Sequence, residues 1–108
     1  MKNTKMPVFL TTIGKSVTTR DPVTKRKTKF VVEDEIRRPQ TEYPCKMIVL
    51  QKLRYQERDL VEFRLGYYII GKRPRMAGKW TWGQYATFLP QSDFQAVVDE
   101  ARRKKWIR

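Results

Sequence analysis

Hydrophobic and polar residues alternate most regularly in the segment LVEFRLGYYII, residues 60–70. An extended chain points successive side chains to opposite faces, so alternation with a period of two predicts a β-strand. One face of this strand would carry Val61, Phe63, Leu65, Tyr67 and Ile69, and the other would carry Glu62, Arg64 and Gly66. The alternation predicts Tyr67 in the core and Tyr68 on the outward face.

Four further segments favour extended structure. Residues 8–19 are rich in Val, Phe, Ile and Thr, and RDPVTKRK (20–27) predicts the tip of a hairpin whose return strand covers 27–38. The two prolines of RRPQTEYP (37–44) predict a connector. KMIVLQKLRYQ and KWTWGQYATFL read as later strands, and the short ERD (57–59) suits a tight antiparallel turn before LVEFRLGYYII.

The hydrophobic period changes near the C-terminus. Phe94, Val97, Val98 and Ala101 recur at helical spacing. Ser92 followed by Gln95 is a capping-box pattern, and Asp93 would complement the positive helix end. These features predict an amphipathic helix over 92–105, in which Phe94 and Val98 contact the last strand.

The order of elements predicts an α+β fold, with a single curved antiparallel sheet of about five strands and one C-terminal amphipathic helix. Residues 7–108 would form one domain, and residues 1–6 a disordered basic tail. A helix of 14 residues is about 21 Å long. It cannot cover a five-stranded sheet, so one face is expected to be polar, paired with another molecule or used for binding.

Charge changes this picture most. The chain has 24 Lys and Arg against 11 Asp and Glu, a formal net charge of +13. Such a field attracts polyanions, which makes nucleic acid the first partner to consider. No run of 18 apolar residues is present, so no membrane span is predicted. A lone cysteine, Cys45, excludes an internal disulfide and fits the cytoplasm.

Several kinds of chemistry are excluded by residues that the sequence lacks. The chain has no histidine, which removes Ser-His and Cys-His catalysis and histidine metal sites. Neither GxxxxGK[ST] nor GxGxxG is present, and no cofactor or metal is expected. A metal-dependent nuclease remains as an alternative, in which Asp59, Glu62 and Arg64 would form a carboxylate pair with a basic partner. We expect no enzymatic activity.

Aromatic and basic residues are concentrated in one acid-free stretch. Between Phe63 and Ser92 lie seven of the 13 aromatic residues, five basic residues and no acid. Single strands bind where bases stack on aromatic rings and cations neutralise phosphates. Together with the cations of the first hairpin, this predicts a nucleic-acid site made of Lys25, Arg26, Lys27, Arg64, Tyr68, Lys72, Arg73, Arg75, Lys79, Trp80 and Trp82. Core packing of the tryptophans is the alternative.

The segment LVEFRLGYYIIGKRPRMAGKWTWGQYATFLPQSDFQAVVDEARR resembles the single-strand-binding domain of the positive cofactor four family of transcriptional coactivators. VEFRLGYYI is similar to the family's aromatic strand, GKRPRMAGK to its basic loop and TFLPQSDFQAVV to its entry into the helix. The order of elements is also similar to Whirly and Pur-type domains. The resemblance implies binding to single-stranded or unpaired DNA, usually as a dimer packed through its helices.

Two functions of different classes follow. The first is a non-enzymatic nucleic-acid-binding protein, with single-stranded DNA favoured as ligand and RNA as a second possibility. The alternative is a protein-interaction subunit of a larger nucleoprotein complex, docking through the same aromatic surface, since Trp, Tyr and Arg are also typical of protein hot spots. Salt separates the two, because nucleic-acid binding weakens steeply as salt rises.

Overall fold

The computed structural model describes residues 8–70, 78–83 and 86–108; the predicted tail, residues 1–6, lies outside them. The elements are β1 (Ser16–Arg20), β2 (Lys27–Gln40), β3 (Tyr43–Tyr55), β4 (Val61–Ile70), β5 (Trp80–Trp82) and α1 (Gln91–Arg103). Each strand pairs antiparallel with the next, in the order β1-β2-β3-β4-β5. The sheet curls into a half-barrel, and the predicted α+β fold class is confirmed.

Apolar side chains are buried on both faces of the sheet. On one face, Val97 and Ala101 of α1 pack against Ile36 of β2 and Ile48 of β3. On the other face, a separate cluster contains Phe30, Val32 and Leu53. The helix therefore packs on β2 and β3 from one side of the sheet, and no other helix is present among the described residues.

The helix begins earlier than its sequence pattern predicted and without the predicted cap. Pro90 occupies the N-cap position, no side chain caps the helix, and Ser92 lies inside the first turn. Pro90, with φ at −58°, already holds the backbone dihedral that helix entry needs. With 13 residues, α1 is also short, and no helix in the described ranges is long and apolar enough to cross a membrane.

Two residues of the helix have surroundings that the sequence did not predict. Asp93 lies in the first turn of α1, at the positive helix end as predicted, and is also fully buried. Its carboxylate accepts hydrogen bonds from Arg38 Nε at 2.7 Å, from Thr41 Oγ1 at 2.7 Å and from Thr41 N at 2.9 Å. This turns the helix so that Val97 and Ala101 face the sheet and Phe94 is left 49% exposed. Phe94 was predicted to meet the last strand, but Val97 and Ala101 form the buried contacts of the helix.

We expect the substitution Ser92→Ala to change the free energy of unfolding by less than about 0.5 kcal/mol, as is usual for surface positions. A true N-cap serine would lose about 1 kcal/mol, but the hydroxyl of Ser92 caps nothing here. Urea unfolding of the two proteins measures the difference. A loss near the N-cap value would place the start of the helix at Ser92.

The predicted connector at residues 37–44 is also wrong, because both prolines lie inside strands. β2 continues to Gln40 and β3 begins at Tyr43, so a tight turn at Thr41 and Glu42 joins them. Glu42 adopts a φ of 65°, which this turn requires. Strands tolerate proline where its nitrogen faces an open edge, and Pro39 meets this condition.

The upper half of β2, from Asp34 to Gln40, is an edge of the sheet with which no other described strand pairs except β3. β1 pairs with β2 only from Lys27 to Val31, and an irregularity between Val32 and Asp34 reverses which residues point toward β3. Beyond it, the backbone groups of residues 35, 37 and 39 point away from β3. The N–H of Glu35 donates to Asp34 Oδ1 at 2.8 Å, and residue 39 is a proline.

Candidate nucleic-acid interface

The register of β3, β4 and β5 brings four predicted site residues onto one face. Leu50 lies on the helix side and pairs with Leu65, so odd-numbered residues of β4 share that side. Arg64 and Tyr68 therefore project from the opposite face. Tyr68 pairs with Trp82, and Ile70 pairs with Trp80, which places both tryptophans on that face too. Arg64, Tyr68, Trp80 and Trp82 are called the tryptophan cluster below.

Trp82 is seated in the sheet by a glycine on the neighbouring strand. A Cβ atom built on Gly66 would collide with the six-membered ring of Trp82. The indole therefore lies across the backbone of β4, with the Arg64 guanidinium 4.1 Å from its ring centroid and the Tyr68 ring 5.1 Å away at 71°. Only glycine at position 66 allows this close approach of ring and backbone.

Arg64 is a half-buried cation that lacks an acidic partner among the described residues. Its Nε donates to Gln51 Oε1 at 2.8 Å, and Gln51 Nε2 in turn donates to Thr12 Oγ1 at 3.1 Å. Burial lowers the pKa of the Arg64 guanidinium, although an arginine stays charged in proteins. Gln51 thus fixes the guanidinium over Trp82 and leaves its positive charge uncompensated.

An N-terminal segment, residues 8–13, crosses the same face of the sheet. Its Phe9 ring contacts Tyr68 at 4.9 Å and Trp80 at 5.6 Å, both edge to face. The Arg37 guanidinium lies 5.4 Å from that ring, and Arg37 Nη1 donates to the carbonyl oxygen of Phe9 at 2.5 Å. β2 and β5 are separated by three strand spacings, about 14 Å in a flat sheet. One ring can contact both because the sheet curls toward it, so this face is concave.

Glu35 anchors the N-terminal segment. Its Oε1 accepts hydrogen bonds from Thr11 Oγ1 at 2.5 Å and from the Thr12 amide at 2.6 Å. Its Oε2 is buried without a hydrogen-bond partner among the described residues.

Burial raises the pKa of the Tyr68 hydroxyl, and the Glu35 charge raises it further against the opposing effect of Arg64. Tyr68 therefore stays neutral at physiological pH.

A cavity of about 330 Å³ opens beside Phe9 and the tryptophan cluster. Tyr68 and Trp80 line one wall of this cavity, and Lys15 and Lys79 add two exposed cations. Neither lysine forms an ion pair with a described residue. The concave face thus combines ring surfaces, an open cavity and cations, as single-strand binding requires.

The hairpin cations lie at the other end of the sheet. Lys25 and Arg26 belong to the turn between β1 and β2, and Lys27 begins β2. Pro39 is the residue of β2 that lies level with Trp82, because Trp82 pairs with Tyr68, Tyr68 with Met47, and Met47 with Pro39. Twelve residues of strand separate Lys27 from Pro39, about 40 Å. The structure does not bring these three cations to the tryptophan cluster.

Three predicted site residues, Lys72, Arg73 and Arg75, lie outside the described residues. Two residues of the alternative nuclease site have other partners in the structure. Asp59 pairs with Arg54 at 2.7 Å, and Arg64 is bound to Gln51. In the parts of the chain that the structure describes, no group of three or more Cys, Asp or Glu side chains could hold a metal ion.

Sequence reasoning missed Phe9, Arg37 and Gln51 in this face. The segment 8–19 was predicted to be extended as a whole, but β1 begins only at Ser16. Gly14, with a φ of 88°, separates the strand from the N-terminal segment. This glycine was the one local signal of a change in direction.

Comparisons of the chain with protein-family models, curated proteins and solved structures find no match. The resemblance to the positive cofactor four family stays a prediction. The geometry of the concave face is therefore the basis for proposing a function.

Proposed function

We propose that the protein is a non-enzymatic binder of single-stranded or unpaired nucleic acid, with DNA favoured as ligand and RNA as a second one. Bases would stack on the tryptophan cluster, and phosphates would contact the cations around it. The lone Cys45 of this chain suits a reducing compartment, so we propose that binding takes place in the cytoplasm.

The observation that carries the proposal is the arrangement of Arg64 over Trp82. Arg64 is held 4.1 Å from the ring centroid by a neutral amide, Gln51, instead of a carboxylate. A purely structural arginine in a half-buried position is usually neutralised by an acid, because an unpaired buried charge is costly. A site for phosphate retains such a charge, since the ligand supplies the neutralising group.

The surrounding electrostatics support the same ligand class. Each stacked base contributes about 1–3 kcal/mol, and every base offers a ring face, so the binding tolerates different sequences. Lys15 and Lys79 border the cavity next to the rings. The net charge of +13 adds long-range attraction for any polyanion.

The proposal is tested by titrating the protein with oligo-dT, poly-rU and duplex DNA over a series of salt concentrations. We expect oligo-dT to bind most tightly, and its association constant to fall with salt at a slope of about −0.7 per phosphate contact. Equal affinity for all three, or no binding, contradicts the proposal. A partner that binds the same face without salt dependence would favour the protein-interaction alternative.

For the rings, we expect Trp80→Ala to weaken oligo-dT binding by about 1–3 kcal/mol through lost stacking, with the salt slope unchanged. Trp80 lies on β5, the short strand at the edge of the sheet. It belongs to neither buried cluster, so its truncation should leave both clusters intact. Thermal unfolding followed by circular dichroism checks that the variant folds. Wild-type affinity in a folded variant would contradict the stacking role.

A pair of charge variants serves as the matched control. Lys79→Asn should reduce the salt slope by about 0.7, the value for one single-strand phosphate contact. Lys105→Asn removes the same charge just beyond α1, where φ is 60°, and asparagine tolerates that conformation. Equal effects of the two substitutions would show that net charge, and not the cavity, sets the slope.

A further inference from the structure

We propose that the position of the Phe9 ring is a nucleobase subsite, and that a base of the bound strand displaces Phe9 from it. This inference rests on the proposed function and deepens it. In the structure, the N-terminal segment occupies the subsite as an internal stand-in for the ligand.

The seat of Phe9 has the groups that bind an unstacked base. Tyr68 and Trp80 surround the ring at 4.9 and 5.6 Å, and the Arg37 guanidinium lies 5.4 Å from its centroid. Aromatic side chains and guanidinium planes are the surfaces on which proteins stack single-stranded bases. The six-membered ring of a pyrimidine has the size of the phenyl ring, so the seat matches a pyrimidine base in ring size.

The way in which the segment is fixed lets Phe9 leave the seat by itself. Thr11 and Thr12 are bound to Glu35, and the Gly14 amide donates to the Val32 carbonyl at 2.8 Å. The side chains on either side of Phe9 add no such anchor, because Val8 is 80% and Leu10 74% exposed. Phe9 can swing out while the bonds from Thr11 onward persist.

The exchange would also provide a partner for the ligand's backbone. Arg37 now donates to the carbonyl oxygen of Phe9, and departure of Phe9 frees that donor. The cavity beside the seat continues to Lys15 and Lys79. A base in the seat would therefore have its flanking phosphates within reach of three cations that no carboxylate neutralises among the described residues.

If a base displaces Phe9, the substitution Phe9→Ala should strengthen oligo-dT binding instead of weakening it. Removing the internal competitor should tighten oligo-dT binding by about threefold to tenfold, because the self-occupied state no longer reduces the binding-competent fraction. Ile13→Ala is the matched control in the same segment, because Ile13 is 47% exposed and does not line the cavity, and we expect unchanged affinity for it. Tighter binding by Phe9→Ala alone supports the inference.

Two other results would overturn it. Weaker binding by Phe9→Ala would make Phe9 a part of the stacking surface, and unchanged binding would mean that no base enters the seat. In both cases the proposed function stands if Trp80→Ala still weakens binding. Failure of the wild-type protein to bind oligo-dT removes the proposed function, and the inference with it.

Proteolysis gives a second measurement that does not depend on a variant. Displacement should expose the peptide bond after Phe9, so saturating oligo-dT should speed chymotrypsin cleavage there. Phe88, 88% exposed, is the internal reference for changes in protease activity. Slower cleavage at Phe9 relative to Phe88 on binding would contradict displacement.

Discussion

Replacing Asp93 by alanine is expected to lower the free energy of unfolding by about 3 kcal/mol, the lower end of the range for breaking a buried ion pair. The carboxylate is fully buried, whereas the Arg38 side chain is 40% exposed and can recover hydrogen bonds with water. The total free energy of unfolding of a protein is about 5–15 kcal/mol, so the expected loss is a large part of it. Urea unfolding at neutral pH measures the change.

Asp99→Ala is the matched control on the same helix. Asp99 pairs with Arg102 at the surface, where both side chains are about half exposed, and such pairs contribute about 0–1 kcal/mol. A similar decrease in the free energy of unfolding of the two variants would mean that Asp93 does not stabilise the contact between α1 and the turn at Thr41.

The contribution of Asp93 should also depend on pH. Burial raises the pKa of its carboxyl, but the bonds from Arg38 and Thr41 lower it more, so the pKa lies below its ordinary value. The unfolded chain then binds the proton more readily, and stability rises with pH. The contribution is complete above the unfolded pKa of about 3.9 and is lost as pH falls through the folded value. The gap between wild type and Asp93→Ala should narrow in that acid range.

The second large effect is expected where the indole ring of Trp82 lies over Gly66. Gly66→Val should lower the free energy of unfolding by about 3 kcal/mol, the upper end of the usual range for an overpacked interior. Valine suits strands better than glycine does, so a loss cannot be attributed to strand propensity. It follows from collision of the new side chain with the indole.

A second substitution tests this cause directly. Trp82→Leu removes the ring that valine would meet, so the double variant Gly66→Val/Trp82→Leu should be more stable than the sum of the single effects predicts. Residues in contact show such coupling, of about 0.5–3 kcal/mol. Additive losses would mean that the ring of Trp82 does not lie over Gly66.

The hydrophobic pattern of the sequence predicted those parts of the fold that depend on interactions between residues close together in the chain. The alternation in residues 61–70 predicted β4 and the division of its side chains between two faces, because successive side chains of a strand point to opposite faces. The start of α1 could not be obtained in this way. The capping pattern at Ser92 was outweighed by Pro90, and Asp93 was drawn inward by Arg38 and Thr41, which lie more than 50 residues away.

The candidate site was predictable where it lies along one strand or one strand pair. Trp80 and Trp82 share a face by their spacing, and Arg64 and Tyr68 do so for the same reason. Phe9 and Arg37 join them only through the curl of the sheet, which no local pattern encodes. The cations at Lys25–Lys27 illustrate the opposite error, since charge alone does not say at which end of a strand it will lie.

The open upper edge of β2 has a consequence for how molecules of this protein meet one another. Free edges of sheets are templates on which further strands add, and this addition is how fibrous aggregates grow. At the outward positions of this edge, Pro39 has no amide hydrogen and the amide of Glu35 is already taken by Asp34. A strand from a neighbouring molecule would find no free amide donor at those two positions. The sequence of β2 thereby removes part of the hydrogen bonding on which such growth depends.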